Sequence, residues 1–187
     1  NKFNYNERKD LEKYWLIDPL DGTKEYVNNS KNYTVNIALI ENSIPIIGVI
    51  SSPENQTIYY GDIKKNELKV YRNKTKKISK INLLDLKKTN AILVSKSHIS
   101  IEKEIIKSKY DDKISLIKMG SSIKFCLVAT GEYQGYFRSG PTMEWDTAAG
   151  DAVLRCAGGS VKHPNDEPFN YGKSNYRNGP FIAYGSF

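Results

Sequence analysis

Asp18 and Asp21 share the hexapeptide Asp18-Pro19-Leu20-Asp21-Gly22-Thr23, which follows the apolar run Tyr14-Trp15-Leu16-Ile17. The run is short and β-prone and ends at Asp-Pro. It predicts a buried strand that breaks into a tight turn, because the residue before proline is driven out of the helical region. Two carboxylates then stand at one strand end. Pro19 stiffens the turn, Gly22 lets a ligand approach the backbone closely, and Thr23 adds a hydroxyl beside both acids. Oxygen donors on a stiff backbone suit a hard divalent cation. Taken alone, the hexapeptide reads equally well as an ordinary Asx turn, since Asp-Pro and Asp-Gly turns are common.

A third carboxylate lies far along the chain. Gly140-Pro141-Thr142-Met143-Glu144-Trp145-Asp146-Thr147-Ala148-Ala149-Gly150 opens a stretch with Trp145, Ala149, Ala152 and Cys156 at helical spacing, a stripe that predicts a core-facing helix side. Asp146 lies one position off the stripe, in the first turn, where a carboxylate meets the favourable end of the helix dipole. On local grounds it is either a helix-start acid or a third ligand.

The elements that must position these acids follow from periodicity. Tyr33 to Ile40 and Ile44 to Ser51 flank Glu41-Asn42-Ser43 and predict a hairpin; Thr57 to Tyr60 and Leu68 to Tyr71 extend it into an antiparallel meander. The Lys-rich stretch 74–88 reads as a solvated edge and connection rather than a phosphate patch. Ala91 to Val94 predicts a strand feeding Ser95-Lys96-Ser97-His98 and then an amphipathic helix through Ile101, Ile105 and Ile106. Serines at such a strand-to-helix junction either satisfy free amides or help to hold an anion. His98 reads most simply as a loop or helix-start residue. Ile114 to Met119 predicts another strand, and Gly120-Ser121-Ser122 turns it into a helix carrying Ile123, Phe125, Leu127 and Val128, a geometry that can offer amides to phosphate. Tyr133 to Arg138 predicts a strand, Gly158-Gly159 ends the Asp146 helix, His163 sits in a turn beside Pro164, and Phe181 to Tyr184 forms a late strand. The sum is an α+β fold of sheets covered by helices. Residues 1–187 read as one domain, a meander half over about 1–90 and a strand-helix half over 91–187.

Composition narrows the partners. Lysine and arginine outnumber the acids by 28 to 21 in 187 residues, for a net charge of +7. That favours anionic ligands, for which a nucleotide phosphate or a nucleic acid would do; the lysines are too scattered to predict a nucleic-acid face. Cys126 and Cys156 have neither zinc nor disulfide spacing and read as buried, reduced thiols. No apolar run approaches the roughly 20 residues of a membrane span. The expected location is cytoplasmic, with peripheral attachment at the inner face of a membrane left open by the positive charge.

Asp18-Pro-Leu-Asp-Gly-Thr23 and Trp145-Asp-Thr-Ala-Ala-Gly150 resemble the two signatures of the inositol monophosphatase superfamily of metal-dependent, lithium-sensitive phosphatases. Tyr14-Trp-Leu-Ile-Asp-Pro-Leu-Asp-Gly-Thr-Lys-Glu-Tyr26, Tyr33-Thr-Val-Asn-Ile-Ala-Leu-Ile40, Ser95-Lys-Ser-His98 and Gly120-Ser-Ser-Ile-Lys-Phe-Cys-Leu-Val-Ala129 are similar to its CysQ branch, the 3'(2'),5'-bisphosphate nucleotidases. The resemblance implies a layered αβαβα sandwich and hydrolysis of 3'-phosphoadenosine 5'-phosphate to AMP and phosphate, a step that supports sulfate assimilation. An inositol phosphate or related sugar phosphate is the alternative substrate. A basic nucleotide- or RNA-binding module is the alternative outside enzymes.

It also implies two or three Mg²⁺ ions. Asp18 would bridge two of them, the Leu20 carbonyl would join Asp18 at the first, and Asp21 and Asp146 would complete the second. Thr23 would orient the attacking water, so that Asp18 and Thr23 carry the catalysis. Substrate contacts would come from Leu20, Asp21, Gly22, Thr23, Ser95, Ser97, Gly120, Ser122, Lys124 and Asp146. The family places further acids in a helical region upstream. This sequence starts at Asn1 without methionine, and Glu7 and Glu12 lie too close to the first strand to match those acids. The expectation is an N-terminally incomplete chain, without the first helices, that turns over little by itself.

Overall fold

The computed structural model describes residues 4–72, 89–95, 105–106, 109 and 113–186. In chain order they form α1 (Tyr5–Arg8), β1 (Lys13–Asp21), α2 (Thr23–Val27), β2 (Thr34–Glu41), β3 (Ile44–Ser52), β4 (Thr57–Asp62), β5 (Glu67–Arg72), β6 (Thr89–Val94), β7 (Ser115–Lys118), α3 (Ile123–Ala129), β8 (Tyr133–Arg138), β9 (Thr142–Met143), α4 (Glu144–Cys156), β10 (Ser160–Lys162), β11 (Arg177–Asn178) and β12 (Phe181–Tyr184).

The expected meander is present, with β1 to β5 pairing in sequence order and every pair antiparallel. The β2–β3 turn is made by Asn42 and Ser43, whose φ values of 50° and 63° supply the twist a two-residue hairpin needs. A second sheet runs β10-β12-β8-β6-β7, with β6 parallel to both neighbours and β12 antiparallel to both of its own. The short helix α2 and the two-residue pair β9–β11 were not foreseen from sequence, being too short to show a period.

Helices α3 and α4 contact both sheets and so lie between them. Residues Ala38, Ile40 and Ile50 of the meander and Ala148, Ala149, Val153 and Leu154 of α4 are buried in one cluster with Leu93, Tyr136 and Phe181 of the second sheet. Close approach requires small residues. A Cβ on Gly48 of β3 would lie 2.3 Å from the Ala149 carbonyl oxygen, so α4 rests directly on the strand backbone. On the other face of the second sheet Ile92, Val94, Phe137 and Ile182 pack with Ile106.

Three expectations need correction. β1 is not a buried strand ending at Asp18: it is the outer strand of its sheet, continues through Pro19 to Asp21, and leaves Trp15 and Ile17 each 56% exposed. An edge strand has one hydrogen-bonded neighbour and here offers the core one fully buried side chain, Leu16. The helix stripe is buried at Ala149 and Ala152 but only half-buried at Trp145 and Cys156, because Trp145 leans on Tyr176 (ring centroids 5.5 Å apart) near the helix mouth. Consequently only Cys126 is a fully buried thiol. The Lys-rich stretch 74–88, Ser97, His98 and the start of the helix at Ile101 lie outside the described residues.

Candidate metal centre

In a regular strand, residues three apart face opposite sides of the sheet. Asp18 pairs with Asn36 and Asp21 with Thr34, so three steps on β1 match two on β2. The extra residue is a β-bulge, and it lets both carboxylates face the same way. Pro19 is tolerated inside this strand because an edge and a bulge both spare its missing N–H. The Asx turn read from the sequence is there too, with the Leu20 N–H donating to Asp18 Oδ1 at 3.0 Å. Turn and ligand site are therefore one structure. Gly22 follows at φ 83°, where a side chain would be strained and its Cβ would lie 3.0 Å from the Asn32 carbonyl oxygen. Thr23 opens α2 and donates its hydroxyl to the Leu20 carbonyl at 3.2 Å.

Asp21 Oδ2 accepts from the Thr34 hydroxyl at 3.3 Å and from the Ser122 N–H. Asp146, in the first turn of α4, accepts the Met143 N–H on Oδ2 at 2.8 Å. It is both a helix-start acid and a member of the cluster, since one carboxylate oxygen from each of Asp18, Asp21 and Asp146 lies within 4.8 Å of the others. Burial pushes the Asp146 carboxyl up to about 7, helped by the charges of Asp21 and Asp18 and opposed by the Met143 N–H. Burial and the charge of Asp21 also raise Asp18, against the Leu20 N–H. Carboxylates this close and half-buried repel one another when charged, a cost that a bound cation would offset. The donor set is all oxygen, with no His or Cys among it, and the Leu20 carbonyl keeps a second lone pair beside its bond to Thr23. The residues fit a hard divalent ion such as Mg²⁺.

Beside the acids lies a small pocket of about 80 Å³ that also receives Lys124, Tyr136 and Arg138. The Lys124 ammonium donates to the Ser121 carbonyl and sits 4.6 Å from the Tyr136 ring centre. Arg138 donates to Ser95 Oγ at 2.7 Å and to the Gly140 carbonyl at 3.3 Å. The Ser122 hydroxyl bonds to Thr34 Oγ1 at 2.7 Å and to Asn36 Oδ1 at 2.8 Å, while its N–H goes to Asp21. Ser122 thus ties β2 to the start of α3. Gly120 admits Glu25, whose carboxylate oxygen would lie 2.3 Å from a Cβ there. A larger groove of about 710 Å³ is lined by Asp18 with residues including Trp15, Ile17, Pro19 and Trp145.

Sequence reasoning missed Thr34, Asn36 and Arg138. For the first two a signal existed, because Thr34, Asn36, Ala38 and Ile40 form one alternating, buried face of β2, and two polar members of such a face need partners. Arg138 carried none.

The chain has an α+β fold with an Asp-Pro-Leu-Asp bulge and a helix-start aspartate, and the inositol monophosphatase family model matches residues 3–183. The chain belongs to the inositol monophosphatase family. It is 39% identical over 165 residues to the 3'(2'),5'-bisphosphate nucleotidase CysQ of Escherichia coli (strain K12), covering 88% of this chain and 64% of that protein. It is 41% identical to the CysQ of Buchnera aphidicola over 175 residues, covering 92% and 63% respectively. The chain therefore spans less than two thirds of the length of these curated relatives. Among solved structures, CysQ from Bacteroides thetaiotaomicron superposes with a TM-score of 0.85 at 33% identity, over 100% of this chain and 75% of that one. An inositol monophosphatase from Anabaena gives 0.67 at 26% identity, over 95% and 69%. Among the described residues no helix is long and apolar enough to cross a membrane.

Proposed function

We propose that this chain carries the metal- and phosphate-binding part of a Mg²⁺-dependent 3'(2'),5'-bisphosphate nucleotidase that hydrolyses 3'-phosphoadenosine 5'-phosphate to AMP and phosphate. The observation that carries the reading is the convergence of Asp18, Asp21 and Asp146 within 4.8 Å, with Asp21 and Asp146 lining a pocket that also holds Lys124 and Arg138. Bound divalent ions supply two things there: a water acidic enough to attack at neutral pH, and charge neutralisation for the attacking and leaving oxygens.

The chain does the rest. Asp18, Asp21 and Asp146, with the Leu20 carbonyl, would hold the ions. The Thr23 hydroxyl, 3.2 Å from the Leu20 carbonyl, aims the attacking water, and the Gly22 and Thr23 amides hold phosphate oxygens. Water adds to phosphorus as the bond to the ribose 3'-oxygen breaks; that oxygen leaves with the bonding pair and takes a proton. Lys124 and Arg138 offer a second positive field, which a substrate with two phosphates uses and a monophosphate does not. This favours the nucleotide over an inositol phosphate. Three carboxylates where phosphates would approach argue against an RNA-binding module.

The test is phosphate release from 3'-phosphoadenosine 5'-phosphate and from inositol 1-phosphate, with Mg²⁺, with a chelator and with lithium. It is run on this chain and on the chain extended through any upstream reading frame. Preference for the nucleotide, lost on chelation and inhibited by lithium, supports the reading. Preference for the inositol compound replaces the substrate but keeps the metal chemistry, and no turnover by either protein defeats the enzymatic assignment.

A further inference from the structure

Asn178, in β11, is 1% exposed. Its side-chain nitrogen lies 3.0 Å from the Met143 carbonyl oxygen, 3.0 Å from Thr147 Oγ1 and 3.2 Å from Thr142 Oγ1. Its oxygen accepts from the Lys173 ammonium at 3.1 Å. Two N–H groups facing three acceptors, with a cation on the carbonyl end, leave the amide one orientation. Lys173 is itself anchored, since its backbone N–H donates to Glu144 Oε1 at 2.8 Å and its ammonium lies 3.7 Å from the same oxygen. Glu144 is fully buried at the first position of α4.

These bonds close a ring around one residue. Asn178 holds the carbonyl of Met143, and the N–H of Met143 holds Asp146 Oδ2 at 2.8 Å. With Oδ2 engaged in this way, Oδ1 is the oxygen that would be offered to a cation. The restraint matters because three acids within 4.8 Å repel one another and would otherwise turn apart. We propose that Asn178, oriented by Lys173, is a positioning residue that locks Met143 so that Asp146 presents its carboxylate to a divalent cation. The proposal rests on the reading of Asp18, Asp21 and Asp146 as a cation site. It goes beyond that reading because neither Asn178 nor Lys173 belongs to the cluster.

The experiment measures Mn²⁺ affinity by calorimetry on Asn178→Asp, Lys173→Met, Lys173→Arg and Asp146→Asn, with circular dichroism confirming that each is folded at the measuring temperature. Asn178→Asp is nearly isosteric but loses the donors, and Lys173 is only half-buried, so its exchange is the milder perturbation. The expected result is a Kd weaker by about tenfold or more for Asn178→Asp and Lys173→Met, and within about twofold of the parent for Lys173→Arg, in keeping with the effect of groups that orient a metal ligand. Unchanged affinity in folded Asn178→Asp and Lys173→Met, with only the melting temperature lowered, overturns the positioning role while Asp146→Asn still loses binding. Retained binding by Asp146→Asn overturns the cation site itself, and this proposal with it.

Discussion

The backbone N–H of Ser122 donates to the carboxylate of Asp21, joining residues 101 positions apart. Through that bond and the Ser122 hydroxyl contacts to Thr34 and Asn36, the start of α3 is fastened to the bulge that carries two of the acids. Ser122→Ala leaves two buried polar partners short of a hydrogen bond. It should cost about 1–3 kcal/mol in denaturant unfolding. Since the hydroxyl is already engaged within the chain, KM for the nucleotide should change less than about twofold.

Removing a ligand should separate activity from stability. Asp21→Asn and Asp146→Asn are expected to lower kcat/KM at least about 100-fold in the extended protein, measured by phosphate release. In chelator, the melting temperature of each variant should equal or exceed that of the parent, because one of three mutually repelling acids is gone.

The pH behaviour follows from the raised carboxyls. Asp146, pushed up to about 7, and Asp18, also raised, bind protons more tightly folded than unfolded. The contribution of these two groups to metal-free stability is therefore fully present below the ordinary carboxyl range and is lost as pH rises through about 7. Mg²⁺ reverses the burden by favouring the ionised forms. Cation uptake near neutrality should release protons, seen as a dependence of calorimetric heat on buffer ionisation, and affinity should decline as pH drops below about 7. Melting curves with chelator and with Mg²⁺ should converge at low pH.

Arg138 tests the second phosphate. Arg138→Gln should raise KM for 3'-phosphoadenosine 5'-phosphate about tenfold, the loss of roughly one charge-assisted hydrogen bond. KM for inositol 1-phosphate should hold within about twofold. An equal effect on both substrates would remove Arg138 from substrate discrimination.

Much of this was legible in the residues. The apolar runs Tyr33 to Ile40 and Ile44 to Ser51 around Glu41-Asn42-Ser43 gave the hairpin, and the two acidic motifs gave all three clustered carboxylates. The bulge was not, because one extra residue in a strand and the start of a turn look alike when Pro and Gly flank them; hence β1 read as ending at Asp18. Asn178 was invisible for another reason. It lies in the aperiodic stretch between β10 and β12, in a two-residue strand whose partner β9 is equally short, and only the folded chain brings it to Met143.

The order of the strands carries a consequence for how the site comes into being. β1 to β5 pair only with their neighbours in sequence, whereas the second sheet must cross over to bring β12 between β10 and β8. Short-range pairings close before long-range ones, because loop closure has to be completed before distant contacts stabilise anything. Asp18 and Asp21 belong to the early half, while Asp146 arrives with α4, which packs against both sheets. An ion that recognises all three acids has nothing to bind until late on the pathway. Mg²⁺ should leave the refolding rate unchanged and slow unfolding, so that it governs how long the native state lasts and not how fast it is reached.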